Sequence, residues 1–438
     1  MCEEHSQQES LEHQIGAFLS EQPGIRRTGV GFIGYGEVKP GDRILVGVDN
    51  HYHPAVISGL VEPLRERGAR VDVVISDIGP DRVFNETDEI DVLIRRGSIE
   101  INPRRWDAIP WIERRAAEGG YDLLIHKKGG GIPVTDHRYE AVPWQQPDQF
   151  GDVGNYFPRD VHRLVNIKTW DKFWNKGAGG RVKLTDPEGT DIEYTLWTGY
   201  RRTGDGVSAR AYSETPFWGH LMGHGPTPIL PEEDATGVIA GTTNHFSRAF
   251  PRVHLELING RVVAVHGGGG YGDAWRELLD ETSGIKYPCF PEPGLFYLWE
   301  VAIGTHPKIQ RPANISHLSS GGFEWERRRS GVIHLGLGSA WGGDEEKWAA
   351  EKKVPYGHLH VHLLFPTLTI TTVDGETLTV IENGHLTALD DPEVVETAAR
   401  YGDPKEVLSA PWEAPIPGIS MPGSYKKYAA DPAAYIYA

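Results

Sequence analysis

Three histidines alternate with apolar residues near the C-terminal end of this chain, and this feature constrains its fold and chemistry more than any other. His358, His360 and His362 run into an apolar, β-branched segment, a pattern typical of a β-strand. In a strand, residues two apart project from the same face with Cα atoms about 6.5 Å apart, so neighbouring imidazoles can bind one metal ion. The outer pair lies roughly 13 Å apart and cannot easily share one. A single-metal site here therefore requires His360 with one neighbour; the alternative is a polar strand face or an exposed run of histidines.

The composition indicates a globular protein with more than one core. At 438 residues the chain is long for a single core, so two domains are expected. The formal net charge is −17, which disfavours nucleic acid and anionic membrane surfaces as partners. Cys2 and Cys289 provide neither a disulfide framework nor zinc-finger spacing. The N-terminus lacks a signal-peptide pattern and no run approaches the roughly 20 apolar residues of a membrane span, so a soluble cytoplasmic protein is expected.

Buried-strand and helical patterns alternate over residues 1–165. The predicted strands are 43–49, 70–76 and 121–126, and the predicted helices are 11–23 and 53–68. Strand, helix and strand at these spacings make a βαβ unit, so we expect an α/β N-terminal domain with a parallel sheet. The turn after the first strand lacks Gly-x-Gly-x-x-Gly, which argues against a dinucleotide cofactor.

From about residue 180 the sequence favours antiparallel strands. Hairpins are predicted at 181–196 about a Pro-Glu-Gly turn, at 253–265 about Asn259-Gly260, and from the histidine strand through 373–375; a helix is predicted at 271–283. The expected second domain, residues 166–403, is a larger β-rich α+β metal-binding domain. Residues 404–438 form a Pro- and Tyr-rich tail suited to wrapping across a partner subunit, as in a homo-oligomer.

Five short motifs occur in order between residues 181 and 390. They are the turn 185–191, the hairpin 258–263, and the segments 299–307, 334–338 and 360–362. Together they resemble the metal-binding half of the thermophilic metalloprotease-type aminopeptidases, a superfamily that includes the iron-dependent 2,5-dihydroxypyridine 5,6-dioxygenases. A weaker similarity extends into the N-terminal domain.

This resemblance implies roles for four residues. The family's glutamate falls on Glu300, its first histidine on His334, and its closing His-x-Asp pair on His360 and His362, where this chain has histidine in place of the aspartate. The carboxylate segment that serves a metal pair in the aminopeptidases has no counterpart around residues 234–250. We therefore predict one metal ion bound by His334, His360 and His362, with the choice between His358 and His362 left open.

Three neutral imidazoles leave a divalent ion its full charge and up to three open positions. In ferrous form such a site suits a hydroxylated aromatic or N-heteroaromatic substrate and O2, as in extradiol-type ring-cleaving dioxygenases of aromatic catabolism. With zinc or manganese the same site would activate water for hydrolysis. Imidazole ligation does not separate these metals, and the resemblance favours iron. The alternatives are an aminopeptidase- or amidase-like hydrolase using zinc, manganese or cobalt, and a non-catalytic small-molecule-binding protein.

Four further residues are candidates for catalysis or substrate contact. Glu300 would orient a ligand or act as a base, unless it is an ordinary ion-paired carboxylate. His220 and His224 lie in a glycine-rich segment that permits close approach to a ligand, where either would donate a proton. His245 is predicted to contact the substrate.

Two lysines and a run of arginines complete the predictions. Lys127 and Lys128 follow the third predicted strand, and the carboxyl ends of parallel strands are where ligands bind. They would neutralise a substrate carboxylate, unless they belong to a solvated loop. The run 327–329 is interpreted as part of a salt-bridged loop with Glu324 and Glu326.

Overall fold

The protein is described by a computed structural model that covers most of the chain. The described residues are 10–21, 37–96, 115, 118–126, 138–141, 145–197, 219–224, 229–320, 326–339 and 343–437. Lys127, Lys128 and Glu324 lie outside them. The chain divides into two compact units. The first comprises Met1–Arg82, Ile101–Tyr156 and Leu318–Gly321; the second comprises Val83–Glu100, Phe157–His317 and Gly322–Ala438.

The secondary-structure elements follow in chain order. The helices are α1 (Leu11–Glu21), α2 (Pro54–Glu66), α3 (Asp88–Leu93), α4 (Pro147–Phe150), α5 (Arg159–Trp170), α6 (Gly269–Thr282), α7 (Gly343–Lys352), α8 (Pro392–Ala398), α9 (Pro404–Leu408), α10 (Tyr425–Ala430) and α11 (Ala433–Ile436). The strands are β1 (Arg43–Asp49), β2 (Arg70–Ser76), β3 (Ile94–Arg96), β4 (Leu123–His126), β5 (Arg138–Ala141), β6 (Arg181–Thr185), β7 (Asp191–Thr195), β8 (His220–Met222), β9 (Thr236–Thr243), β10 (Ala249–Ile258), β11 (Arg261–Gly267), β12 (Leu298–Gly304), β13 (Ile333–Gly338), β14 (Pro355–Leu363), β15 (Thr367–Thr371), β16 (Thr377–Glu382) and β17 (His385–Leu386).

The first unit is built on a parallel sheet of four strands in the order β2-β1-β4-β5. All residues of β1 after Arg43 are buried, as expected for an inner strand of a parallel sheet. Helix α2 follows β1 and begins at Pro54, because proline suits the first turn of a helix and the His53 side chain accepts a hydrogen bond from the backbone N–H of Ala55. The α/β fold predicted for the N-terminal part is confirmed.

The second unit contains two antiparallel sheets. Eight strands form one sheet in the order β11-β10-β9-β7-β6-β15-β16-β17, and five form the other in the order β3-β14-β13-β12-β8. Strand β14 is buried along its whole length. It packs against β9, where a Cβ atom at Gly241 would lie only 2.6 Å from Cγ1 of Val361, so glycine permits this close approach. The predicted β-rich second fold is thus confirmed, and no helix within the described ranges is long and apolar enough to cross a membrane.

The C-terminal segment packs against other parts of the second unit, to which it belongs. Tyr428 joins a buried apolar cluster with Val332, Leu364, Phe365, Ala414 and Ile416. The Tyr428 hydroxyl lies 2.9 Å from Oγ1 of Thr242, and the Tyr425 hydroxyl donates to Oε1 of Glu188 at 3.3 Å. Burial, reinforced by the nearby Asp186 carboxyl, raises the pKa of Glu188 to about 8. This segment therefore covers a buried acidic group.

Candidate metal centre

The register of three neighbouring strands places Glu300 and the three predicted metal ligands on one face of the five-stranded sheet. His334 of β13 lies opposite His362 of β14, and Gly336 lies opposite His360. On the other side of β13, Glu300 of β12 lies opposite Gly336. Directly opposed residues in antiparallel strands project to the same side. The buried side chains that share this face are Glu300, His334, His358, His360 and His362.

Gly336 provides the space in which Glu300 and His360 approach each other. A Cβ atom at this position would lie 2.8 Å from Oε2 of Glu300 and 3.0 Å from Nε1 of Trp299. Both distances are shorter than ordinary contacts. The absence of a side chain at Gly336 therefore leaves room for the cluster between the carboxylate and the histidine.

Two more histidines reach the cluster from other elements. His220 of β8 places Nε2 3.3 Å from Oε1 of Glu300. His245 follows β9, and its ring centroid lies 4.2 Å from that of His360 and 5.3 Å from that of His334. His220 thus lies beside the predicted catalytic residue Glu300, and His245 lies beside two predicted metal ligands.

Among the described residues, three overlapping sets of side chains could hold a metal ion. In each set, one ligand atom per residue lies within 4.8 Å of the others, and every residue is buried. The sets are His245, His334 and His360; His220, Glu300 and His334; and Glu300, His358 and His360. His334, His360 and Glu300 each belong to two sets and form the centre of the cluster.

Glu89 of α3 orients His360. Its Oε1 accepts from the backbone N–H of His360 at 3.2 Å and lies 3.3 Å from Nδ1 of the same residue. Its Oε2 accepts from the backbone N–H of His245 at 3.0 Å, and the Tyr271 hydroxyl lies 3.2 Å from Oε1. Burial raises the pKa of Glu89 well above its usual range, although these hydrogen bonds oppose the shift. A carboxylate on one imidazole nitrogen is the usual support for a histidine that binds metal through the other.

The protonation of the histidines suits metal binding. Burial lowers the pKa of His245, His360 and His362 well below the usual range, and lowers that of His358 to about 4. Neutral imidazole is the form that ligates a metal. Nε2 of His360 is buried and has no hydrogen-bond partner among the described residues. A metal ion would satisfy this nitrogen, so the residues of the cluster fit such an ion.

His334 contacts three other members of the cluster. Its Nδ1 lies 2.7 Å from Nε2 of His362, a hydrogen-bond distance. Its Nε2 lies 3.3 Å from Oε2 of Glu300 and 3.4 Å from Nη1 of Arg327. His362 therefore touches the cluster through His334, and it belongs to none of the three sets.

The remaining predicted residues have other surroundings. Nε2 of His224 lies 2.8 Å from Oε2 of Glu233, and its ring packs edge-on against Tyr194; His224 is in none of the three sets. His358 belongs to one set, and its Nδ1 lies 2.9 Å from the carbonyl oxygen of Ser339. Lys127 and Lys128 are not among the described residues.

Sequence reasoning missed two residues of this centre. Glu89 lies in a polar stretch between predicted strands, and nothing local marks it as a partner of a histidine 271 residues away. Arg327 was interpreted as part of a salt-bridged loop, which did not indicate that it is buried and contacts His334.

The fold and the cluster together define an α/β protein with a β-rich second unit that carries a buried His/Glu site able to hold a metal ion. No protein-family model and no curated protein matches the chain. Several solved structures are similar to it, among them the following two. A 2,5-dihydroxypyridine dioxygenase from Pseudomonas putida KT2440 is 15% identical, with a TM-score of 0.46, over 88% of this chain and 99% of that chain. Wild-type AmpT from Thermus thermophilus is 14% identical, with a TM-score of 0.45, over 86% and 98%.

Proposed function

We propose that this chain is a mononuclear iron(II) enzyme that cleaves a hydroxylated aromatic or N-heteroaromatic ring with O2. His334 and His360 would hold the ion, with a third ligand from His362 or Glu300. The main support for the proposal is the surroundings of the two ring nitrogens of His360. Glu89 contacts one of its nitrogens, while the other is fully buried and has no hydrogen-bond partner among the described residues.

When bound, a ferrous ion would supply the redox chemistry and open coordination positions that ring cleavage by O2 requires. With His362 as the third ligand, Glu300 would accept the proton released by a ring hydroxyl. One of its oxygens faces His334 and the other faces His220, to which the proton can pass. His220 would then hold that proton at Nε2. His245 would position the substrate beside His360. Burial of all these groups would keep bulk water away from the reacting ring.

A metal-dependent hydrolase is the second candidate, and the overlap of the three ligand sets supports it. Glu300 belongs to two of the sets, and the three sets together contain more side chains than the three in any one set. Two zinc, manganese or cobalt ions would suit this overlap. Glu300 would then be a ligand, and the protein would act on a peptide or amide bond with water as the second reactant.

Metal analysis of protein purified without oxygen tests the proposal first. About one iron per chain, lost in His334→Ala and His360→Ala, together with O2 uptake on hydroxylated benzoates or pyridines, is the expected result. His266→Ala is the matched control, since His266 is exposed and pairs with Glu256 on the β10–β11 hairpin. Close to two zinc or manganese ions per chain and no O2 uptake would favour the hydrolase. Full metal content in both variants would refute the site.

The expected homo-oligomer remains part of the proposal. Light scattering of the full-length protein tests it, and a mass near that of one 48.6 kDa chain would refute it.

A further inference from the structure

A cavity in the second unit lies next to the strands that carry the histidines but outside the histidine cluster. Its volume is about 500 Å³, within the size range of small-molecule sites. It is bounded by Leu364 and Phe365 directly after β14, by the turn between β16 and β17, and by residues 408–413 at and after the end of α9. None of the side chains in the three metal-binding sets is among the described residues that line it. The cavity is therefore a separate candidate site.

Arg329 supplies the cavity with a positive charge. It lies between the 3-10 turn Glu326–Arg328 and β13, and only 4% of it is exposed. Among the described residues that line the cavity, it is the only arginine or lysine. His385 also lines the cavity, but it is exposed and its Nε2 lies 2.7 Å from Oδ2 of Asp390. The positive charge in the cavity wall thus comes from one guanidinium.

The guanidinium of Arg329 has more hydrogen-bond donors than acceptors around it. A guanidinium carries five N–H donors. Among the described residues, the Arg329 side chain makes one hydrogen bond, from Nη2 to the carbonyl oxygen of Leu364 at 3.4 Å, and its Nε is buried without a partner. It lies 5.5 Å from the ring centre of Trp412. Arg311 lies 4.9 Å from the same ring, but its Nη2 is also 2.7 Å from Oε1 of Glu326. Arg329 has no such carboxylate partner within the described part of the chain.

The buried charge of Arg329 is only partly compensated by its neighbours. Burial lowers the pKa of Arg329, although the charges of Glu326 and Glu413 oppose this shift. Glu413 lines the cavity, but its side chain is exposed and it forms no ion pair with Arg329. Burying a charge without a partner costs free energy. An anion inside the cavity would place the missing negative charge beside the guanidinium.

Much of the remaining cavity lining is apolar. The larger apolar side chains that line it are Leu364, Phe365, Leu386, Leu389, Leu408 and Trp412. Apolar walls with a few polar or charged groups are typical of sites for small amphipathic molecules. The cavity therefore combines space for an apolar body with one cation for an acidic group.

We propose that this cavity binds an organic monocarboxylate, with its apolar body against these side chains and its carboxylate held by Arg329. The parallel N–H groups of arginine match the two oxygens of a carboxylate, and such charge-assisted pairs are stronger than neutral ones. One guanidinium neutralises one negative charge, and no second arginine or lysine among the described lining residues serves a dianion such as phosphate. The inference goes beyond the proposed function, because the site needs no metal ion.

Three probes test the site on the full-length protein: 3-phenylpropionate, its uncharged amide, and propionate, which lacks the ring. Their affinities are measured by calorimetry, with inorganic phosphate as a competitor, for the wild type, Arg329→Gln, Arg329→Lys and Glu413→Gln. His360→Ala is measured alongside, so that binding of the acid to a metal ion in the histidine cluster can be told apart. Arg181→Gln is the matched control, because Arg181 is an exposed arginine of the same unit whose Nη1 lies 2.6 Å from Oδ2 of Asp234.

We expect the wild type and His360→Ala to bind 3-phenylpropionate about tenfold or more tightly than the amide or propionate, because the acid alone uses both the charge and the apolar walls. Arg329→Gln should remove this preference for the acid over the amide. Arg329→Lys should keep part of it, because the charge remains and the paired donors do not. Glu413→Gln should bind the acid more tightly, since a like charge is removed from the cavity. Arg181→Gln should bind all three probes as the wild type does.

Several results would overturn the proposal. They are equal affinities for the acid and the amide in the wild type, an unchanged preference in Arg329→Gln, loss of acid binding in His360→Ala, and displacement of the acid by phosphate at equal concentration. If Arg329→Gln does not fold, Ala410→Trp gives the answer. Ala410 is exposed and lines the cavity, so an indole added there should block the acid without lowering Tm. Acid binding like that of the wild type in Ala410→Trp would also overturn the proposal.

Discussion

Replacing Glu89 with glutamine should weaken metal binding without disrupting the strands that carry the histidines. The Glu89 carboxylate serves three N–H groups: the backbone amides of His245 and His360, and Nδ1 of His360. Glutamine has the same shape but only one oxygen, so it cannot accept from both ends. Whichever way the amide turns, its NH2 group faces at least one backbone N–H.

The magnitude of this effect follows from the buried donors. Leaving one buried N–H without an acceptor costs about 1–3 kcal/mol, so the free energy of unfolding should fall by that amount. Loss of carboxylate support behind a metal-binding histidine typically lowers metal affinity by about 10–100-fold. Because a tenfold change corresponds to about 1.4 kcal/mol, the two effects are of similar size and both are measurable.

Metal affinity should be measured by chelator competition under argon, and stability by urea denaturation of the metal-free protein. Glu86→Gln is the matched control. Glu86 lies on the same segment, and its Oε1 accepts a single hydrogen bond from the backbone N–H of Gly270, which a glutamine oxygen can keep. If Glu89→Gln loses stability but binds metal as tightly as the wild type does, Glu89 serves only the fold, and the reasoning about His360 is wrong.

Three further predictions concern the third ligand, Gly336 and the C-terminal segment. If His362 is the third ligand, His362→Ala should lose the metal and Glu300→Gln should retain it; metal analysis showing the reverse would assign the position to Glu300. Gly336→Ala should displace the Glu300 side chain, since the added Cβ would lie 2.8 Å from Oε2, and should lower metal content in a folded protein; wild-type content would contradict the packing argument. Because burial raises the pKa of Glu188 to about 8, the folded state binds this proton more tightly than the unfolded chain does. The stability that protonated Glu188 contributes should therefore be fully present below about pH 4.5 and be lost as the pH rises towards 8. Glu188→Gln should flatten the dependence of Tm on pH over that range; equal slopes would contradict the burial argument.

Elements encoded by local pattern were predictable from the sequence. The strand Arg43–Asp49 and the helix Pro54–Glu66 match their predicted positions closely, because hydrophobic period and a proline near the helix start are local signals. The Asn259-Gly260 turn likewise joins β10 and β11, since both residues adopt the positive φ angles that this turn requires. The alternation of histidines in β14 likewise predicted that their side chains lie on one face of the strand, because this period is also a local signal.

Contacts between distant segments were not predictable in this way. The pairing of His334 with His362 and of Gly336 with His360 depends on strand register, which a single sequence does not reveal. Helix α3 is only six residues long and lacks periodicity, so neither the helix nor the role of Glu89 could be inferred. The metal ligands named from the sequence stay predictions. Glu300, which the sequence suggested as an orienting or catalytic residue, belongs to two of the three sets that could hold a metal ion.

The second unit includes Val83–Glu100, a stretch that the chain delivers long before the rest of the unit. The hydrogen bonds of Glu89 span 156 residues to His245 and 271 to His360. During synthesis, the cluster can therefore form around Glu89 only after most of the chain has left the ribosome. The two units also cannot be separated by a single cut. A polypeptide beginning at residue 157 would carry every histidine of the cluster but lack the carboxylate that orients His360, so the second unit can be transplanted or complemented only if residues 83–100 are supplied with it.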